Sequence, residues 1–252
     1  MFNVETLGRV VRITMQRAPV NALSNEFIAG LDRVLDDVEG RPDVAVVHLR
    51  SDQRAFCAGA DLAQVKTRFA MDDGANVMVR DIREFHRLFD RIEHLPCVTL
   101  AEIGGTAFGG GFELALACDL RIVAGEAKLG LPEARLGLIP GAGGTQRLTR
   151  LCGPGTAARI ILACDIVDGA EACRLGMVQW AVPADELAAE AEALAERIGS
   201  LSAASLLVSK RCIARVAPLS RTGYEGELQG THGLMALEDT RTRVKAFFAQ
   251  RR

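Results

Sequence analysis

The chain has 252 residues, 49% hydrophobic and 25% charged, the balance of a globular protein with room for one large core. A formal net charge of −2 excludes the broadly basic surface that nucleic-acid binding uses, yet leaves room for an anionic ligand at a local site. The seven cysteines are odd in number and none is spaced CxxC, so they suggest neither a disulfide framework nor a metal site. The N-terminus lacks a signal peptide's charged start, and no apolar run reaches the length of a membrane span, so a reducing, cytoplasmic setting is expected.

In chain order, residues 2–15 read as strand–turn–strand, with "TLGR" as the turn. Ser24 is placed to cap a helix whose apolar positions are Phe27, Leu31, Val34, Leu35 and Val38. "VAVVHL" (44–49) is a short apolar run of the kind covered on both faces of a sheet. After a loop from Phe56 to Asp61 comes a helical stretch in which Ile82, Phe85, Phe89 and Ile92 share a face and Pro96 forces the stop. "CVTLAEI" (97–103) and "LRIVA" (120–124) are further buried strands, with a glycine loop and a helix near 110–118 between them. Strands alternating with helices imply an α/β protein with right-handed crossovers and a largely parallel sheet. Beyond about residue 195 the strand pattern ends, and 202–215 and 220–249 read as helices; the boundary divides a core of 1–197 from a helical region of 198–252.

The glycine loop "GGTAFGGGFELALACD" (104–119) matches none of the phosphate-binding signatures. Gly104 and Gly109 have Walker A spacing, but Gly110 stands where the lysine belongs. The dinucleotide fingerprint fails at Leu114 and again at Gln146, and GxSxG occurs nowhere. What remains is a strand, a glycine turn and a helix N-terminus, whose unpaired N–H groups favour an anion, including an oxyanion developing on a carbonyl. The alternative is that the glycines only let strand and helix pack closely.

Two further stretches bear on that choice. "RAFCAGADL" (54–62) lies at the carboxyl end of a strand, where ligands bind parallel sheets, and its small residues again expose backbone. Asp61 there reads equally well as a helix cap. In "KLGLPEARLGLIPGAGGTQRL" (128–148), Glu133 follows Pro132; with Glu113 it would supply an acid and a base if their environments separate their pKa values.

Taken together, "NALS" (21–24), "FCAGADL" (56–62), "GGTAFGGGFELALACD" and "LGLPEARLGLIPGAGGTQRL" (129–148) resemble, in order and spacing, the enoyl-CoA hydratase/isomerase (crotonase) family. The resemblance continues more weakly through 168–182 and "SK" (209–210), and so covers nearly the whole chain. It implies a crotonase-like (ClpP/crotonase) fold of repeated ββα units with a helical C-terminal region that forms trimers or dimers of trimers. It implies hydration of a trans-2-enoyl-CoA in fatty-acid metabolism, with coenzyme A as part of the substrate and no separate cofactor. The implied oxyanion donors are the N–H groups of Ala58 and Gly110, and the implied acid–base pair is Glu113 and Glu133. Ala60, Asp61, Leu62, Pro132 and Gly141 would line the substrate path, with Arg17 and Arg54 near the CoA phosphates. Leu234, Leu237, Val244, Phe247 and Phe248 would form an apolar stripe for subunit contacts or, alternatively, part of the internal core. Thr240–Arg241–Thr242 replace the family's common acidic–glycine step. Isomerisation or another CoA-thioester reaction on the same fold, and a catalytically silent acyl-CoA-binding protein, are the alternatives.

Overall fold

The computed structural model describes residues 1–216 and 221–249, so position 220 of the expected C-terminal helices and the last three residues lie outside it. It opens with the expected hairpin, β1 (Phe2–Leu7) and β2 (Val10–Met15) pairing antiparallel around Gly8 at φ +59°. Helix α1 (Asn25–Glu39) starts where expected, the Ser24 hydroxyl accepting from the Phe27 N–H at 3.2 Å, and it buries Phe27, Ile28, Leu31, Leu35 and Val38.

The rest of the core repeats one device: a long strand, a turn, a three-residue strand, then a helix. β3 (Val46–Ser51) leads through β4 (Ala55–Cys57) to α2 (Leu62–Phe69) and α3 (Gly74–His94). β5 (Val98–Ile103) leads through β6 (Thr106–Phe108) to α4 (Gly110–Ala117). β7 (Leu120–Ala124) leads through β8 (Lys128–Gly130) to a 3-10 turn (Glu133–Leu136) and α5 (Gly144–Leu162), which breaks at Gly153. Then come β9 (Val167–Asp168), α6 (Gly169–Arg174), β10 (Trp180–Val182) and α7 (Leu187–Gly199).

The long strands form one sheet in the order β1-β2-β3-β5-β7-β10, parallel beyond the first hairpin. This is the largely parallel sheet expected from the alternation of strands and helices. A second sheet, β4-β6-β8-β9, stands beside it, parallel except for the β8–β9 pair. Its strands are too short to give an alternating pattern.

Helix α4 is buried along all eight residues, and Glu113 is its one charged group. A helix covered on every side must be apolar all round, so a carboxyl on it needs a specific reason. Gly111 lets the helix settle there: a Cβ at this position would stand 2.1 Å from the Cys57 carbonyl oxygen of β4.

The helices expected after residue 198 are α8 (Ala203–Val216), α9 (Arg221–Met235) and α10 (Glu238–Ala249). Lys210 fastens α8 to the core, its Nζ 2.7 Å from Asp119 Oδ2 and 2.9 Å from the Cys97 carbonyl. Helix α9 folds back onto α3 and α5, and α10 onto the 3-10 turn. Of the two readings of the apolar stripe, subunit contact or internal core, its burial fits the second for most of its residues. Val244 is buried, Leu234, Phe247 and Phe248 are half-buried, and only Leu237 is exposed. Apolar exposure falls instead on α8, where Val208 is 59% and Ile213 72% exposed. No helix of the described residues is long and apolar enough to cross a membrane.

Replacing Gly111 by Ala is expected to cost about 1–3 kcal/mol through overpacking at the Cys57 carbonyl. Urea unfolding monitored by circular dichroism measures it.

Candidate active site

The first three ββα repeats deliver their turns to one cavity of about 620 Å³. Ala58, Ala60, Asp61, Leu62, Gly110, Glu113, Pro132, Glu133 and Gly141 all line it. Arg17 and Arg54 do not. The Arg17 guanidinium is occupied by the Ala22 carbonyl at 2.8 Å and by Asp61 Oδ2 at 2.7 Å, and Arg54 is exposed on the turn before β4. Asp61 also caps α2, Oδ1 accepting from the Ala63 N–H at 3.0 Å, so its capping reading holds whatever else it does.

The backbone donors differ from expectation at one position. The Ala58 N–H donates to the Val20 carbonyl at 3.0 Å and is not available to a ligand. The segment runs beside residues 20–23 like a strand edge: the Leu23 N–H donates to the Gly59 carbonyl, and the Asp61 N–H to the Leu23 carbonyl. Alternation turns the Ala60 N–H to the other side, toward α4, 3.6 Å from where a Cβ on Gly110 would stand. Gly110 is the first residue of α4, so its N–H has no intrahelical acceptor. Among the described residues neither the Ala60 nor the Gly110 N–H has an acceptor. The paired donors facing the cavity are thus Ala60 and Gly110.

Glu113 and Glu133 meet at the same turn. Glu133 Oε1 lies 2.7 Å from where a Cβ at Gly109 would stand, and Glu113 Oε2 lies 3.8 Å from that point at Gly110. Gly109 has φ +52°, and a side chain there would also collide with the Glu133 carboxyl. Glu113 is held by one oxygen, Oε1 accepting from the Ala142 N–H at 2.8 Å and the Gly144 N–H at 2.7 Å. Its Oε2 makes no hydrogen bond among the described residues and faces the cavity. Glu133 as a whole is half-buried, but its Oε2 is sealed from solvent without a hydrogen-bond partner.

These environments push both carboxyls upward. Burial raises Glu113 well above the usual carboxylate range, the Glu133 and Glu227 charges add to this, and the Gly144 and Ala142 N–H groups oppose it. Glu133 is pushed up to about 7, chiefly by burial and then by Glu227, against its own backbone N–H. The Glu133 charge acts on Glu113, so the two carboxyls titrate as a pair.

The chain belongs to the enoyl-CoA hydratase/isomerase family. That family's model matches residues 5–252. A probable enoyl-CoA hydratase of Mycobacterium tuberculosis is 34% identical over 252 residues, covering 98% of this chain and 95% of that protein. The short-chain-enoyl-CoA hydratase of Clostridium acetobutylicum is 32% identical, covering 99% and 95%. The crystal structure of an enoyl-CoA hydratase from Bacillus anthracis superposes with a TM-score of 0.80 at 34% identity, covering 99% of this chain and 96% of that one. The fold is the crotonase fold of these enoyl-CoA hydratases.

Several site residues escaped the sequence reading. Val65, Met78, Ile82, Phe85, Leu138 and Phe247 make an apolar wall, and Arg68, Arg135 and Arg243 are cations lining the cavity. Each has a partner within the chain: Asp81 for Arg68 at 2.9 Å, the Cys164 carbonyl for Arg135 at 2.7 Å, and Asp239 for Arg243 at 2.7 Å. Thr231 reaches the cavity from α9; with Glu227, Leu228 and Met235 it marks one buried helical face, a periodicity visible in the sequence.

A Gly110→Ala substitution brings a methyl to 3.0 Å from Leu23 and toward the Ala60 N–H. It is expected to lower turnover of any thioester substrate about 100-fold or more while leaving the fold intact. Steady-state kinetics and a melting curve on the same preparation check this.

Proposed function

We propose that this chain adds water across the conjugated double bond of a trans-2-enoyl-CoA, giving the 3-hydroxyacyl-CoA. The observation that carries the reading is the meeting of Glu113 and Glu133 beside two acceptor-free N–H groups in one partly apolar cavity. The relatives, a probable enoyl-CoA hydratase and a short-chain-enoyl-CoA hydratase, point the same way.

In this reading the thioester oxygen sits between the Ala60 and Gly110 N–H groups, which stabilise the charge that develops there as water attacks the β-carbon. The α4 N-terminus adds a favourable dipole. Glu113, immobilised through Oε1, presents Oε2 to the attacking water and takes its proton. Glu133 gives its proton to the α-carbon from the singly protonated state of the pair in which it holds the proton. One proton has then passed from Glu133 to the product and one from water to Glu113; transfer between the two carboxyls restores the start. The apolar wall accepts the acyl chain, and Arg68, Arg135 and Arg243 are the cations offered to the CoA phosphates. We also assign self-association, as the trimer the family resemblance implies, to the exposed apolar residues of α8.

Loss of the conjugated-thioester absorbance of crotonyl-CoA tests the reaction. Glu113→Gln and Glu133→Gln are each expected to fold, bind acyl-CoA and lose about 100- to 10,000-fold in turnover. A product with the double bond moved rather than hydrated would assign the chain to isomerisation instead.

Stability supplies an independent check on Glu133. A carboxyl raised in the folded state binds more protons there than in the unfolded chain, where it titrates at about 4.3. Folding stability is therefore lost as pH rises from there through about 7. Glu133→Gln removes that loss, so its melting temperature is expected to exceed that of the parent by several degrees at pH 8 and by little at pH 5.

A further inference from the structure

The loop from Gly141 to Thr145, whose Gly141 and Ala142 line the cavity, is gripped from two sides. Ala142 and Gly144 turn their N–H groups to Glu113 Oε1. The N–H between them, that of Gly143, points the other way and donates to Glu227 Oε2 of α9 at 3.0 Å. The same oxygen lies 3.1 Å from His86 Nε2 of α3, and the other Glu227 oxygen accepts from the Thr145 hydroxyl. Gly143 makes the divergence possible with φ +95°, and a Cβ there would strike the Arg147 guanidinium at 2.2 Å. Glu227 is 3% exposed and His86 6%.

We propose that Glu227 is a positioning residue: from the C-terminal helix α9 it holds, through Gly143 and Thr145, the loop whose neighbouring amides aim Glu113, and it sets a third buried carboxyl beside the Glu113–Glu133 pair. The inference rests on the hydratase reading for what Glu113 does, not for where Glu227 sits. Three features distinguish it from ordinary packing. Alternate amides of one three-residue stretch are divided between two carboxylates, so displacement of either frees a buried donor. Both Glu227 oxygens are engaged, which fixes the rotation of the carboxyl as well as its place. Its charge also raises the proton affinity of Glu113 and Glu133 across a water-poor interior.

The charged and titratable groups around it are His86, Asp90 and Glu93 of α3, Arg147 of α5, Tyr224 of α9 and the two catalytic glutamates. Tyr224 stacks on the His86 ring at 4.1 Å and donates to Asp90 Oδ1 at 2.6 Å. Arg147 is bound by Asp90 at 2.7 Å and Glu93 at 3.0 Å while donating to the Ala142 carbonyl at 3.1 Å. The Arg147 charge is thus taken up by acids of α3, leaving Glu227 beside His86 and the loop.

The test is Glu227→Gln, which keeps the shape and deletes the charge, beside Glu227→Asp, which keeps the charge on a shorter arm. In Glu227→Gln the limbs of the pH–rate profile are expected to move about one unit toward acid, because a like charge beside the pair has gone. In Glu227→Asp they stay in place while kcat falls about 10-fold and KM changes little. Thr145→Val, expected to lower kcat by a similar factor with unmoved limbs, serves if either Glu227 variant fails to fold. Limbs that stay fixed in Glu227→Gln, or kcat unchanged in the folded Asp and Val variants, would overturn the proposal. An infrared titration of the carboxyl band assigned by its loss in Glu113→Gln reads the same shift without turnover. It therefore separates failure of this inference from failure of the hydratase reading.

Discussion

The site depends on burying carboxyls against backbone amides. Glu113 and Glu227 are almost wholly enclosed; the N–H groups of Ala142, Gly143 and Gly144, leading into α5, hold them, and the Thr145 hydroxyl and His86 also meet Glu227. A buried carboxylate is costly unless its oxygens are satisfied, and a cationic partner would lower the very proton affinity that acid–base work near neutrality needs. Amides satisfy the oxygen while opposing the upward shift only in part. Glu133 goes further, its buried oxygen having no donor, and its carboxyl is correspondingly pushed up.

The glycines of the α4 turn follow from this requirement, and each does something different. Gly109 takes a left-handed conformation and leaves room for the Glu133 carboxyl. Gly110 presents a free N–H, and Gly111 brings the helix onto the Cys57 carbonyl. A run that must serve two interior carboxyls and a sheet contact has no place for the lysine or the spaced third glycine of a nucleotide loop. For that reason it fails those patterns despite its composition.

The sequence made the long strands, the α1 cap, the Pro96 stop and the two glutamates legible, because each has a local signal in periodicity, capping chemistry or a motif. The three-residue strands were not legible, being shorter than any period. The misplaced donor has the same cause at finer scale. Ala58, Gly59 and Ala60 are equally small, and which N–H faces the cavity is decided by alternate pairing with Val20 and Leu23, far upstream. Arg17 looked free for a phosphate because its partner Asp61 lies 44 residues away. Glu227 reaches a loop 84 residues away, across a fold-back that no local pattern encodes.

That fold-back makes the C-terminal helices part of the chemistry as well as of the outline. Helix α9 secures the loop that aims Glu113. Helix α10 secures the turn that carries Glu133: the Thr240 hydroxyl donates at 3.1 Å to the carbonyl of Gly137, the left-handed residue that closes the 3-10 turn. Thr240 is 1% exposed, and a Cβ on Gly137 would stand 2.8 Å from its oxygen, so the two residues require each other. The same helices contribute Thr231 and Phe247 to the cavity wall. A group lodged against that wall therefore presses on the elements that fix both carboxyls. Under the proposed hydratase reading, the wall that takes the acyl chain and the acid–base pair share these supports.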